Sequence, residues 1–250
     1  MERNETIEKK TFIIPVGLVG LYAVLLVISG RIVQLLSLNS SNSKIFASVI
    51  INFVICALFL WLNKKYIRVK IDFKFTFSFF KRHKILATVL AIIIILIVIG
   101  NVKNLPLALM VSLQAGIVEE VICRGIISKY IYNGLNKVEE KRRIWISAIF
   151  SGLAFGMLHF INLFRQGLLP TINQVIAAAA IGMLFGVIYL VYKNLFGTIF
   201  IHFLNDFWII AVTGTITEQD SGTVAMIISS MLYWIILGFI AWRIIKKKVA

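Results

Sequence analysis

The chain has 250 residues, 60% of them hydrophobic, and a net charge of +15 from 26 Lys and Arg against 11 Asp and Glu. A mean hydropathy of +0.92 excludes a soluble domain of this size and indicates an integral membrane protein. Two cysteines, Cys56 and Cys123, both in apolar runs, read as small core residues rather than a disulfide or thiolate metal site.

Apolar runs recur near the length a helix needs to cross about 30 Å of hydrocarbon. Eight are predicted, near 11–30, 45–62, 85–100, 105–123, 144–161, 171–192, 195–212 and 223–242. The expected fold is an all-α polytopic bundle of about eight membrane helices forming one membrane domain. Within it, 1–104 supplies supporting helices, 105–212 the core that carries chemistry, and 213–250 a last helix with a basic tail. The first run follows the mixed-charge start MERNETIEKK without a convincing cleavage site, so it reads as a retained anchor. In the loop before the third run, Ile71 to Phe79 alternates apolar and polar residues, the pattern of an extended interfacial segment rich in aromatics. The helix starting near Leu105 is expected to continue past the membrane towards Tyr132. Small residues at four-residue spacing form two ridges, Ala148-Gly152-Gly156 and Ala178-Gly182-Gly186, suited to close helix approach in lipid.

With the N-terminus inside, 21 Lys and Arg fall on the cytoplasmic side, and only Arg31, Lys44, Lys103 and Arg165 on the other. The positive-inside rule therefore puts both termini in the cytoplasm. It assigns the charge to topology and anionic headgroups of the bilayer, with no role for nucleic acid. A composition rich in Lys, Ile and Asn points to an AT-rich bacterial source and hence a bacterial cell membrane.

Three apolar runs carry groups that lipid would not tolerate: Glu119, Glu120 and Arg124; His159; and His202, Asn205 and Asp206. Each charged side chain at the bilayer centre costs roughly 2.5–3.5 kcal/mol, so these groups must face one another or water. Residues four apart share a helix face, so Glu120 can pair with Arg124, and His202 with Asp206. Glu119 lies about 100° round the helix from Glu120. One carboxylate can thus be neutralised by Arg124 while its neighbour points to the histidines, the asymmetry a general base needs. At about 1.5 Å per residue, Glu119 and His202 come out about 10 Å from the cytoplasmic boundary, with His159 deeper. A shared cavity opening to the cytoplasm is compatible with that. His83, beside Lys81 and Arg82, is read as solvated.

Glu119-Glu120-x-x-x-Arg124, Phe155-x-x-x-His159 and His202-x-x-x-Asp206, in that order, resemble the signature of the CPBP family of CAAX proteases and bacteriocin-processing enzymes, also called the Abi family. The resemblance implies an intramembrane endopeptidase with a cytoplasm-facing cavity, acting on a peptide or membrane-associated protein substrate. Glu119 would activate water with help from His159, Glu120 and Arg124 would be positioning partners, and His202 with the residue four further on would hold the oxyanion. The last motif commonly ends in Asn. Here position 206 is Asp, which must be protonated or orient His202, unless Asn205 donates from a locally rotated helix. The family is described as metalloprotease, and Glu119, His159 and His202 could hold zinc with water in the fourth position. No H-E-x-x-H helix is present, and a metal-free glutamate mechanism is preferred. A proton-coupled transporter or a non-catalytic regulator with the same fold are the competing readings.

Overall fold

A computed structural model of the chain describes residues 2–73, 98–216 and 224–249. Its helices are α1 (Glu2–Leu35), α2 (Ser41–Leu62), α3 (Leu105–Glu120), α4 (Lys129–Gly134), α5 (Glu140–Leu158), α6 (Leu168–Tyr192), α7 (Leu195–Thr213) and α8 (Val224–Lys248). No strand occurs among the described residues. Among the described residues, seven helical stretches are long and apolar enough to cross a membrane, and they coincide with seven of the expected spans. The eighth, 85–100, and most of the alternating 71–79 segment lie outside the described residues, as does His83.

The long helix from Leu105 does run on, through a π-helical segment Val121–Ser128 into α4, and ends at Gly134. Wide turns of this kind are uncommon and often mark functional sites. Here the turn follows directly after the Glu119-Glu120 pair. α5 ends at Leu158 and continues as a 3₁₀ segment, His159–Phe164, so His159 begins the tighter turn. Local chemistry sets other boundaries. The Ser40 side chain accepts from the Ser43 N–H at α2, and Gly214, at φ +68°, closes α7 with its N–H on the Ile210 carbonyl.

The helices meet through small residues, since lipid supplies no hydrophobic drive between them. The two predicted ridges pack against each other. A Cβ on Gly152 would lie 2.5 Å from the Met183 nitrogen, and one on Gly186 would lie 2.9 Å from the Ala148 Cα. The α3–α7 crossing is equally close, with the Ile199 carbonyl 3.0 Å from a Cβ at Gly116. These contacts bring α3, α5, α6 and α7, the helices that carry or flank the intramembrane polar groups, into one core.

Each end of the bundle has its own polar clip. At one end Lys129 Nζ donates to Asp72 (2.5 Å), the Asp72 N–H to Tyr189 Oη (3.1 Å), and the Leu195 N–H to the Asp72 carbonyl (2.9 Å). At the other, Asn104 Nδ2 donates to the Ala211 carbonyl (2.9 Å).

Gly152→Val should destabilise the detergent-solubilised protein by about 1–3 kcal/mol or prevent folding, because backbone lies where the side chain must go. Gly20→Ala, with nothing within 4 Å of the new Cβ, should be neutral or slightly stabilising. Thermal unfolding of the two variants, followed by circular dichroism, checks the contrast.

Candidate active site

His202, about two-fifths of the way along α7, is the meeting point of the polar groups. Its Nδ1 lies 3.0 Å from Glu120 Oε1, and its Nε2 lies 3.4 Å from Asp206 Oδ2 and 3.8 Å from Glu119 Oε2. Three carboxylates from two helices thus surround one imidazole. Phe155 and Phe185 pack beside it, each with its ring centroid 5.8 Å away.

Glu120 and Arg124 are both fully buried and form an ion pair at 2.9 Å. The guanidinium also packs over the rings of Phe155 (4.4 Å) and Phe185 (5.6 Å), a desolvated cation–π arrangement. Its Nε and Nη2 have no hydrogen-bond partner among the described residues, so Glu120 and the aromatic faces carry the compensation for burial. Gly182 permits this packing, because a Cβ there would lie 3.0 Å from Arg124 Nη2.

The expected pairs Glu120–Arg124 and His202–Asp206 are present. The expected division of labour is present in part, with Glu120 on Arg124 and Glu119 towards the histidines. Glu120 does not serve Arg124 alone: the same oxygen also meets His202, so both neighbouring carboxylates converge on one ring. The physical reason is that imidazole presents two nitrogens in different directions. It can therefore span the roughly 100° between adjacent helix positions.

His159 reaches the site differently. Its Nδ1 lies 3.0 Å from the Phe155 carbonyl, which can only accept, so Nδ1 carries the hydrogen and Nε2 is the basic nitrogen of the neutral ring. Its ring packs edge-on against Phe155 at 4.9 Å. α7 is regular at Asn205, with no local rotation. Asn205 is exposed and donates from Nδ2 to Asp206 Oδ1 (3.1 Å), so Asp206 is the residue set against His202.

A cavity of about 380 Å³ is lined by Glu119, Phe155 and His159 together with residues of α1 and α2, including Tyr22, Ser29 and Asn52. That size lies in the range of small-molecule and peptide side-chain pockets. Among the described residues, Glu119 is the only acidic one in the lining. The α1 and α2 contribution could not be read from the motifs, because Tyr22, Ser29 and Asn52 are ordinary residues in apolar helices. Only their burial in a membrane span marks the last two.

The lining also includes Arg31, Gln34 and Arg165, all exposed.

Among the described residues no three His, Cys, Asp or Glu side chains are grouped as an ion site. Both nitrogens of His202 face carboxylates, and Nδ1 of His159 is bonded to backbone.

Arg124→Met leaves Glu120 buried with half its compensation and should cost about 3–5 kcal/mol. Glu120→Leu/Arg124→Met should cost less than the sum of the two single changes, as unfolding in detergent would show.

Residues 101–208 match the family model described as type II CAAX prenyl endopeptidase Rce1-like. Comparison with curated proteins and with solved structures finds no match. The matched segment holds Glu119, Glu120, Arg124, His159, His202 and Asp206, so this part of the chain is similar to the Rce1-like CAAX proteases.

Proposed function

We propose that this protein is an intramembrane endopeptidase in which Glu119 activates water for attack on a peptide bond. The observation that carries the reading is the position of Glu119. It lines a cavity shared with His159, while the neighbouring Glu120 takes the ion pair with Arg124. Glu119 is thereby left as the carboxylate that can accept a proton from solvent.

In the chemical step Glu119 takes a proton from water as the water oxygen bonds to the scissile carbonyl carbon. Nε2 of His159 accepts a hydrogen bond from the same water and orients it. The carbonyl oxygen becomes an oxyanion, and His202 is the donor at hand, its Nε2 3.8 Å from Glu119. Glu120 holds the ring through Nδ1, and the one Nε2–H, which faces Asp206 Oδ2 at 3.4 Å, turns to the oxyanion as charge develops. Collapse of the intermediate breaks the C–N bond, and the proton held by Glu119 passes to the leaving amine. The route as proposed uses these side chains alone.

Peptide or bacteriocin processing, or self-immunity, is the setting we assign, with a membrane-associated peptide as substrate. The chain's 60% hydrophobic composition and its seven spans support a substrate met in or at the bilayer.

In a peptide-processing assay on purified protein, Glu119→Gln and His159→Ala should each lower kcat by about 10²–10⁴-fold with unfolding temperatures close to wild type. Asp206→Asn should retain activity, because an amide oxygen still accepts from His202 Nε2. Hydrolysis surviving both of the first two changes would remove the assignment. Loss of activity in Asp206→Asn would show that the carboxylate itself is needed.

A further inference from the structure

Two parts of the chain build the cavity wall. Glu119, Phe155, Leu158 and His159 come from the segment that matches the family model, residues 101–208. Tyr22, Leu26 and Ser29 come from α1, at the four- and three-residue steps of one helix face. The family likeness assigns these three nothing, since it begins at residue 101. Tyr22 is 1% exposed, and its ring stands edge-on to Phe59 of α2 at 5.7 Å and 71°. It lies in the apolar cluster with Ile55, Cys56 and Cys123.

A phenylalanine would fill that slot equally well, so packing accounts for the ring and not for the oxygen. A hydroxyl held out of water without a partner costs about 1–3 kcal/mol. No hydrogen bond of Tyr22 Oη is found among the described residues. The oxygen must therefore meet its partner in the cavity, and Glu119 is the charged group that acts most strongly on the phenol. Two amides of the lining are already in use. Asn52 Nδ2 donates to Gln114 Oε1 (3.3 Å), and Asn162 Nδ2 to Gln174 Oε1 (2.8 Å). His202 is not among the lining residues, and its Nε2 starts out facing Asp206. A phenol carries its proton at neutral pH and can turn its O–H to suit an acceptor. An uncommitted donor thus shares the cavity with Glu119.

We propose that Tyr22 is a further catalytic residue of this site, whose hydroxyl donates to the scissile carbonyl oxygen as it becomes an oxyanion. The proposal rests on the endopeptidase reading for the reaction it serves. No bond to Tyr22 forms or breaks. The phenol keeps its proton throughout, and its hydrogen bond tightens as charge develops. Glu119 and Tyr22 take opposite tasks: the carboxylate accepts the proton of water, and the phenol faces the negative charge that attack creates. With His202 turned from Asp206, the oxyanion has two donors, one from α1 and one from α7.

Tyr22→Phe keeps the ring and removes only the oxygen, so its unfolding temperature in detergent should match wild type. In the peptide-processing assay its kcat should fall about 10²-fold with KM little changed. Full kcat, or a rise in KM alone, overturns the proposal and leaves the endopeptidase reading standing. A second measurement needs no turnover. The phosphinate analogue of a labelled apolar hexapeptide carries a tetrahedral anion in place of the scissile amide. Purified wild type should bind it at least about tenfold more tightly than Tyr22→Phe does, while the parent hexapeptide binds both alike. Equal binding of the analogue, or none, overturns the role of the hydroxyl. Loss of both ligands together marks a structural role and overturns it too. If wild type cleaves nothing yet binds the analogue through Tyr22, the endopeptidase reading fails while Tyr22 remains a donor to a tetrahedral anion.

Discussion

An ionised group can sit inside a membrane bundle only if a partner or solvent meets it there. In this protein one imidazole satisfies that condition for three carboxylates. His202 links Glu120 on one side to Asp206 and Glu119 on the other, and Glu120 in turn holds the buried Arg124. Remove the ring and α7 loses its link to the carboxylates of α3. The rest of the core is arranged around this contact: Phe155 and Phe185 shield it, and Gly182 leaves room for the guanidinium.

The constraint also separates two roles that look identical in sequence. Glu119 and Glu120 are adjacent and of one chemical type, yet the first borders a cavity and the second is fully buried beside Arg124. Burial fixes one as structure. Exposure to a wettable space gives the other the means to exchange a proton. Close packing of α5 on α6 through Gly152, Gly156 and Gly186 then brings the end of α5, and His159, to the same space.

Much of this was legible beforehand. Helical spacing gave Glu120–Arg124 and His202–Asp206, and the small-residue ridges marked the α5–α6 contact. Hydropathy located the seven described spans. The sharing of His202 between adjacent carboxylates was not legible, because it depends on which way a ring on another helix turns. Nor were the α1 and α2 residues that wall the cavity, which carry no motif. The π-helical turn after Glu120 left no sequence mark either, since Val121 to Ser128 reads as ordinary apolar helix.

The central claim is that Glu119 and His159 face a common water-filled space while Glu120 stays in the ion pair. An experimental structure resolving ordered solvent tests it most directly. The account requires a water within about 3 Å of both the Glu119 carboxylate and Nε2 of His159. A cavity filled by a side chain or lipid tail, with Glu119 turned into the Arg124 pair, would contradict it.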